Sequence, residues 1–126
     1  VLQFFLVFIG SGIGGMARLA LGSFAFSHTA DWRFPLGTFL VNAIGCLAAG
    51  ILAGLIERWG VLPAEARLFL FTGVLGGFTT FSAFSLETVA LLRRGNAAVA
   101  ASYVALSIFC GLLAIWAGML LINRSA

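Results

Sequence analysis

The chain has 126 residues, of which 62% are hydrophobic and 9% charged. Soluble domains average about 45–50% apolar and about 25% charged residues, so this composition excludes an ordinary water-soluble globule and points to the bilayer as solvent. The length allows one domain, residues 1–126. The formal charge of +3 comes entirely from arginine, and these arginines stand scattered between apolar runs. No basic patch with interleaved aromatics exists, which argues against a nucleic-acid partner.

A bilayer crossing needs about 20 apolar residues, because a helix rises about 1.5 Å per residue across a hydrocarbon core of about 30 Å. Four stretches meet that length, at about 3–26, 36–56, 67–92 and 97–122. The expected fold class is therefore all-α, an integral membrane protein of four transmembrane helices. The connecting segments 28–35, 57–66 and 93–96 hold seven of the eleven charged residues. The opening Leu2-Gln3-Phe4-Phe5 has no basic lead and no small-residue cleavage site, so it reads as a retained first helix and not a removed signal.

The first helix carries Gly10 and Gly14 four apart, the spacing that lets helix backbones approach closely in lipid. Arg18 is placed near enough to its end to snorkel toward the interface. Pro35 and Pro63 precede the second and third helices, where a missing N–H costs little. In the second helix, Thr38, Asn42, Gly45 and Ala49 fall on one face as a polar-to-small stripe, followed by the pair Gly50 and Gly54. A hydroxyl can bond back to its own helix, but the Asn42 carboxamide cannot satisfy itself that way. Intramembrane polar groups are costly and mark functional positions.

The third segment contains the run from Gly73 to Ser85, with Gly76-Gly77 followed by Phe78, Thr79 and Thr80. Adjacent glycines ahead of two threonines make a poor continuous helix. A kink and a full break both fit this pattern; a break would free mid-membrane carbonyls able to bind a monovalent cation. Phe81 and Phe84, three apart, share a face. Their ring edges carry positive character and can meet a small anion, although plain packing would explain them equally. Glu87 follows within the same segment. The fourth helix repeats a polar-to-small stripe with Tyr103, Ser107, Cys110 and Ala114. Cys46 and Cys110 belong to no metal-ligand cluster and read as buried thiols.

Orientation is balanced. With four crossings, Arg58, Arg67 and Arg124 share one side, while Arg33, Arg93 and Arg94 share the other. The positive-inside bias vanishes, so a chain oriented by factors outside this count and one inserting both ways are both open. Four helices pack solidly without a pore of their own. Transport therefore requires at least a dimer, and opposed copies would form an inverted-repeat assembly with its site at the midplane.

Three blocks resemble the Fluc (CrcB) fluoride channels: Gly14-Gly15-Met16-Ala17-Arg18, the run from Pro35 through Thr38 and Asn42 to Gly45, and Gly73-x-x-Gly76-Gly77-Phe78-Thr79-Thr80-Phe81-Ser82-Ala83-Phe84-Ser85. The similarity covers all four helices in order. Leu19, where the family often has Tyr, and Ala83, where Thr is usual, are departures away from the expected ion contacts. The resemblance implies a dual-topology antiparallel homodimer in the bilayer, with two fluoride pathways and one central structural sodium ion (Na+). It implies that Asn42, Phe81 and Phe84 line the pathway with Tyr103 and Ser107 opposite, and that Thr38 and Glu87 give polar support. Gly76 and Thr79 would offer carbonyls to sodium, and Arg18 would form a basic vestibule. The implied role is passive export of fluoride trapped in the cytoplasm, across a bacterial inner membrane.

No catalytic constellation is visible, which argues against an enzyme. A small multidrug-type dual-topology exchanger is the alternative, but it needs a titratable carboxylate in the first helix, which has none. A purely structural subunit would leave Asn42 and the Gly-Gly-Phe-Thr-Thr run unexplained.

Overall fold

A computed structural model describes residues 1–124, so the last two residues of the expected 1–126 domain lie outside it. The described residues are helical nearly throughout. In chain order they form α1 (Leu2–Thr29), α2 (Leu36–Trp59), the short α3 (Ala64–Arg67), a π-helical stretch (Leu68–Leu75), α4 (Gly76–Phe78), α5 (Phe81–Arg93) and α6 (Ala97–Arg124). Four segments are long and apolar enough to cross a membrane: Leu2–Thr29, Leu36–Trp59, Ala64–Arg93 and Ala97–Arg124.

Each span outruns its apolar core, because polar end residues find local partners that keep them helical. The α2 helix continues past 56 to Trp59 and stops only at Gly60, whose φ of 61° supplies the left-handed turn while its N–H reaches the Ile56 carbonyl at 2.9 Å. Arg58 in that last turn lies over the Trp59 ring at 4.3 Å and donates to the Ile122 carbonyl near the end of α6. At the other end of the bundle, α5 closes in a Schellman turn. The Asn96 N–H bonds the Leu91 carbonyl at 2.9 Å and the Gly95 N–H bonds Leu92 at 3.0 Å, with Gly95 at φ 78°.

The packing inverts the soluble pattern. Large apolar side chains such as Phe4 and Phe8 face outward, while the buried positions include Gly10, Gly14, Gly45, Gly50, Gly54, Gly73 and Gly118. Lipid tails are as apolar as Leu, so helices associate by close backbone approach and not by hydrophobic segregation. The main contact surfaces are α2 along α6, and α1 along the π-helical stretch and α4. At the second of these, Gly10 meets Gly73: a Cβ on Gly10 would stand 2.9 Å from Gly73 Cα, and one on Gly77 would strike the Ser11 backbone. Between α2 and α6, a Cβ on Gly118 would stand 2.7 Å from both Ile51 N and Leu47 O. Gly118→Val therefore separates α2 from α6, and the expected outcome is loss of the monodisperse peak on size-exclusion chromatography. Gly12→Val, at a position open on all sides, keeps that peak.

The third span shows where the expected weak point lies. The paired glycines are not the interruption: Gly76 is helical at φ −63°, ψ −38°, and Gly77 is used for contact with α1. Helical dihedrals stop one step later, with Thr79 at φ −81°, ψ 157° and Thr80 at φ −151°, ψ 120°, and resume at Phe81. β-Branched threonines suit an extended backbone better than a helical one. Just upstream, the π-helical stretch widens the spiral, a feature often found at functional sites.

Candidate functional site

The α2 stripe faces this extended pair. Asn42 donates from Nδ2 to the Thr80 carbonyl at 3.0 Å and accepts from the Thr80 N–H at 2.8 Å. One carboxamide thus satisfies both main-chain groups of a residue outside any helix, where a buried unpaired peptide group would be costly. A helical ladder would have directed the Thr80 N–H to the Gly76 carbonyl; it goes to Asn42 instead. Thr79 places its hydroxyl on the Leu75 carbonyl at 2.8 Å, with its N–H on the same carbonyl at 2.9 Å. One turn along α2, Gly45 leaves room for the Thr79 methyl and the Phe78 ring.

Thr80 then caps α5, its Oγ1 accepting from the Ala83 N–H at 3.2 Å and sharing a hydrogen bond of 3.2 Å with the Ser82 hydroxyl. Sequence reasoning singled out neighbouring Thr79 but not Thr80. The available signal was a threonine ahead of an apolar helical run; the carboxamide that fixes it lies 38 residues away.

About two turns beyond Thr80 along α5 lies a second polar cluster. Glu87 accepts from the Thr38 hydroxyl at Oε1, 2.7 Å, and from the Tyr103 hydroxyl at Oε2, 2.7 Å. Residues of α2, α5 and α6 therefore meet at a single carboxylate. Tyr103 is wholly buried and its ring is held at 5.1 Å from Phe84 and 5.3 Å edge-on from Phe34, centroid to centroid. Phe34 was not anticipated, because its approach depends on how the α1–α2 loop folds back. Phe84 and Phe81 lie 5.6 Å apart in a tilted pair, with Phe81 79% exposed on the chain's outer surface. Four residues further along α6, the Ser107 hydroxyl is buried and makes no hydrogen bond.

Arg18 differs from its sequence expectation. The α1 helix runs 11 residues beyond it to Thr29, a rise of about 16 Å, so Arg18 is not close to a helix end. It lines a cavity of about 250 Å³ with Thr38, Thr80 and Ala83, and so faces the same cleft as the two polar clusters. Among the described residues no group of three His, Cys, Asp or Glu side chains could hold a metal. A cation here would depend on main-chain and hydroxyl oxygens. The interrupted ladder at Gly76 and Thr79 has the donor chemistry that a hard monovalent ion uses.

The family model described as "CrcB-like protein, Camphor Resistance (CrcB)" matches residues 5–119. The chain belongs to the CrcB-like family. Its CrcB-like relatives include a Methylobacillus flagellatus protein, 50% identical across 98% of this chain and 96% of its own length. A Rhizobium etli protein is 41% identical across 94% of both chains, and one from Flavobacterium psychrophilum is 37% identical across 93% and 94%. Each of the three is named "Fluoride-specific ion channel FluC". All the candidate residues, from Arg18 to Ser107, fall inside the CrcB-like match. The four spans and this family make the chain a multi-pass membrane protein.

Proposed function

We propose that this chain is a fluoride channel, carrying the ion passively across a bacterial inner membrane as an antiparallel homodimer with two pathways. It is not an enzyme: its relatives are named as ion channels, and their near-full-length similarity supports the same activity here. The structural observation that carries the reading is a pair of polar clusters along one cleft, Asn42 on the extended Thr80 and Thr38 with Tyr103 on Glu87, with Phe84 against the Tyr103 ring and Phe81 beside Phe84. Fluoride is small and strongly hydrated, so a pathway must replace its water with donors. The second Asn42 N–H, the unpartnered Ser107 hydroxyl and the Phe81 and Phe84 ring edges are available for that purpose.

Glu87 holds the Thr38 and Tyr103 hydroxyls in fixed orientations, which keeps the track narrow and preorganised. The outward Phe81 suits a pathway completed by a second copy. The Gly76 and Thr79 carbonyls of two opposed subunits would hold one sodium ion, and its fixed charge would favour an anion nearby in a low-dielectric centre. Arg18 gives the cleft a basic wall. The multidrug-type exchanger has no support from the relatives and no carboxylate in α1.

The test is fluoride efflux from proteoliposomes loaded with potassium fluoride. Passive electrodiffusion gives rapid efflux only when valinomycin lets potassium follow; efflux without the ionophore would indicate coupled exchange. The dual-topology element has its own test, resting on the equal arginine counts at the two ends. Tags on the chain's termini should be found on both membrane faces in comparable amounts. Two or three Lys added to the α1–α2 loop should fix one orientation and abolish flux unless a copy locked the other way is co-expressed. A single orientation in the parent would remove the antiparallel dimer.

A further inference from the structure

The pathway residues leave a second opening unexplained. At the end of the bundle formed by the α1–α2 and α5–α6 loops, a pocket of about 300 Å³ descends between α1 and the start of α2. Phe26, Trp32 and Phe34 form its walls, Arg33 also lines it, and Thr38 and Glu87 line it too. It shares Gly22, Gly37 and Thr38 with the cavity lined by Arg18 and Thr80. The two hollows adjoin at the Gly22–Gly37 crossing, where a Cβ on Gly37 would stand 3.4 Å from the Gly22 carbonyl.

The electrostatics of such an opening need a positive group. An anion descending it meets the Glu87 carboxylate, and two like unit charges 4 Å apart repel by about 4 kcal/mol at an effective dielectric of 20. Arg33 is the cation in the pocket lining, and a surface hydrogen bond links it to the α5–α6 loop. Its Nη1 donates to Asn96 Oδ1 at 3.3 Å. Asn96 is itself fixed by its N–H on Leu91 and by its carbonyl, which accepts from Ala100 at 3.0 Å. The tether is therefore anchored on the rigid joint between α5 and α6, 63 residues from Arg33. Arg93 and Arg94 lie on that same joint, while Asp31 and Glu87 supply the opposing charges.

We infer that Arg33, hydrogen-bonded to Asn96, is the anion-attracting residue at a second mouth of the fluoride pathway, the pocket also lined by Thr38 and Glu87. This rests on the fluoride-channel reading and adds to it an entry residue away from the Arg18 cleft. The role is to raise the local anion concentration, not to contact the ion at its narrowest passage. Its effect must therefore be screened by salt, whose Debye length falls from about 30 Å at 0.01 M to about 3 Å at 1 M.

The experiment measures fluoride efflux from proteoliposomes containing the parent, Arg33→Gln or Arg33→Lys. Sodium is held constant and ionic strength is set with an impermeant potassium salt. At about 10 mM ionic strength, Arg33→Gln should conduct about three- to tenfold more slowly than the parent, the lower end of electrostatic steering effects. At about 1 M the two should converge, and Arg33→Lys should stay within about twofold of the parent throughout. Equal rates for Arg33→Gln and the parent at every ionic strength would overturn the inference. So would an equal deficit at low and high salt, which signals a packing defect instead. In either case a conducting parent leaves the channel reading standing, whereas a parent that carries no fluoride removes that reading itself.

Discussion

Asn42→Asp abolishes fluoride flux, with a fall of at least about a hundredfold. The parent carboxamide donates to the Thr80 carbonyl and accepts from the Thr80 N–H. A carboxylate keeps the second bond and turns the first into two opposed oxygens. Leaving a buried acceptor unsatisfied costs about 1–3 kcal/mol, so the Thr79-Thr80 segment loosens. The new negative charge also repels the permeating anion by about 4 kcal/mol at 4 Å and an effective dielectric of 20, and each 1.4 kcal/mol is a factor of ten. Protonation of the new carboxyl at acid pH would relieve part of this repulsion. The measurement is the initial efflux rate per mass of purified protein, paired with size-exclusion chromatography to show that the variant elutes as the parent does. A variant conducting at the parent's rate would remove Asn42 from the pathway.

Phe81→Ile and Phe84→Ile each reduce flux by more than about tenfold, while the protein purifies normally. Volume-conserving swaps between apolar residues cost under about 1.5 kcal/mol of stability. Phe81 bears little packing load within one chain, being 79% exposed. What the swap removes is the positive ring edge, a contribution of about 0.5–1.5 kcal/mol beyond burial in aromatic pairs and larger for an anion stripped of water. If the rings only pack, the swaps leave flux nearly intact. Phe84→Ile carries a further consequence, because its ring also lies 5.1 Å from Tyr103; a modest loss of thermal stability is expected there and not for Phe81→Ile.

The four spans were legible because their signal is compositional, and lipid demands long apolar runs whatever their packing. The glycine pairs were legible as close-approach sites, but not their partners. That Gly10 meets Gly73 across two spans depends on the relative shift of α1 and the π-helical stretch. The Gly76-Gly77-Phe78-Thr79-Thr80 run was legible as a poor helix, but not which of its residues leave the helix: propensity is a local quantity, and the glycines stay helical, with Gly77 packed on Ser11 in α1. The extended backbone falls instead on Thr79 and Thr80, where Asn42 is placed to satisfy it.

The face shared by Thr38 and Asn42 could be read from spacing, and both residues do turn toward the third span. Their partners, Glu87 and Thr80, lie 49 and 38 residues away, beyond the reach of periodicity. Arg18 was placed near a helix end because the first helix was read as stopping at about 26, with a connecting segment from His28 onward. Ser27, His28 and Thr29 instead bond back to the carbonyls of Phe24 and Ala25 and prolong α1. Arg33 and Asn96 carried no sequence signal at all, since each is an ordinary polar residue of a short loop.

The most direct measurement compares fluoride with chloride in one preparation of the purified protein. Liposomes loaded with the potassium salt of either anion are opened to potassium with valinomycin, and the anion released is followed with an ion-selective electrode. The expected result is fluoride emptying within seconds from every protein-bearing vesicle while chloride stays inside as in protein-free controls. Chloride leaving at a comparable rate, or fluoride remaining trapped, would contradict a fluoride-selective channel.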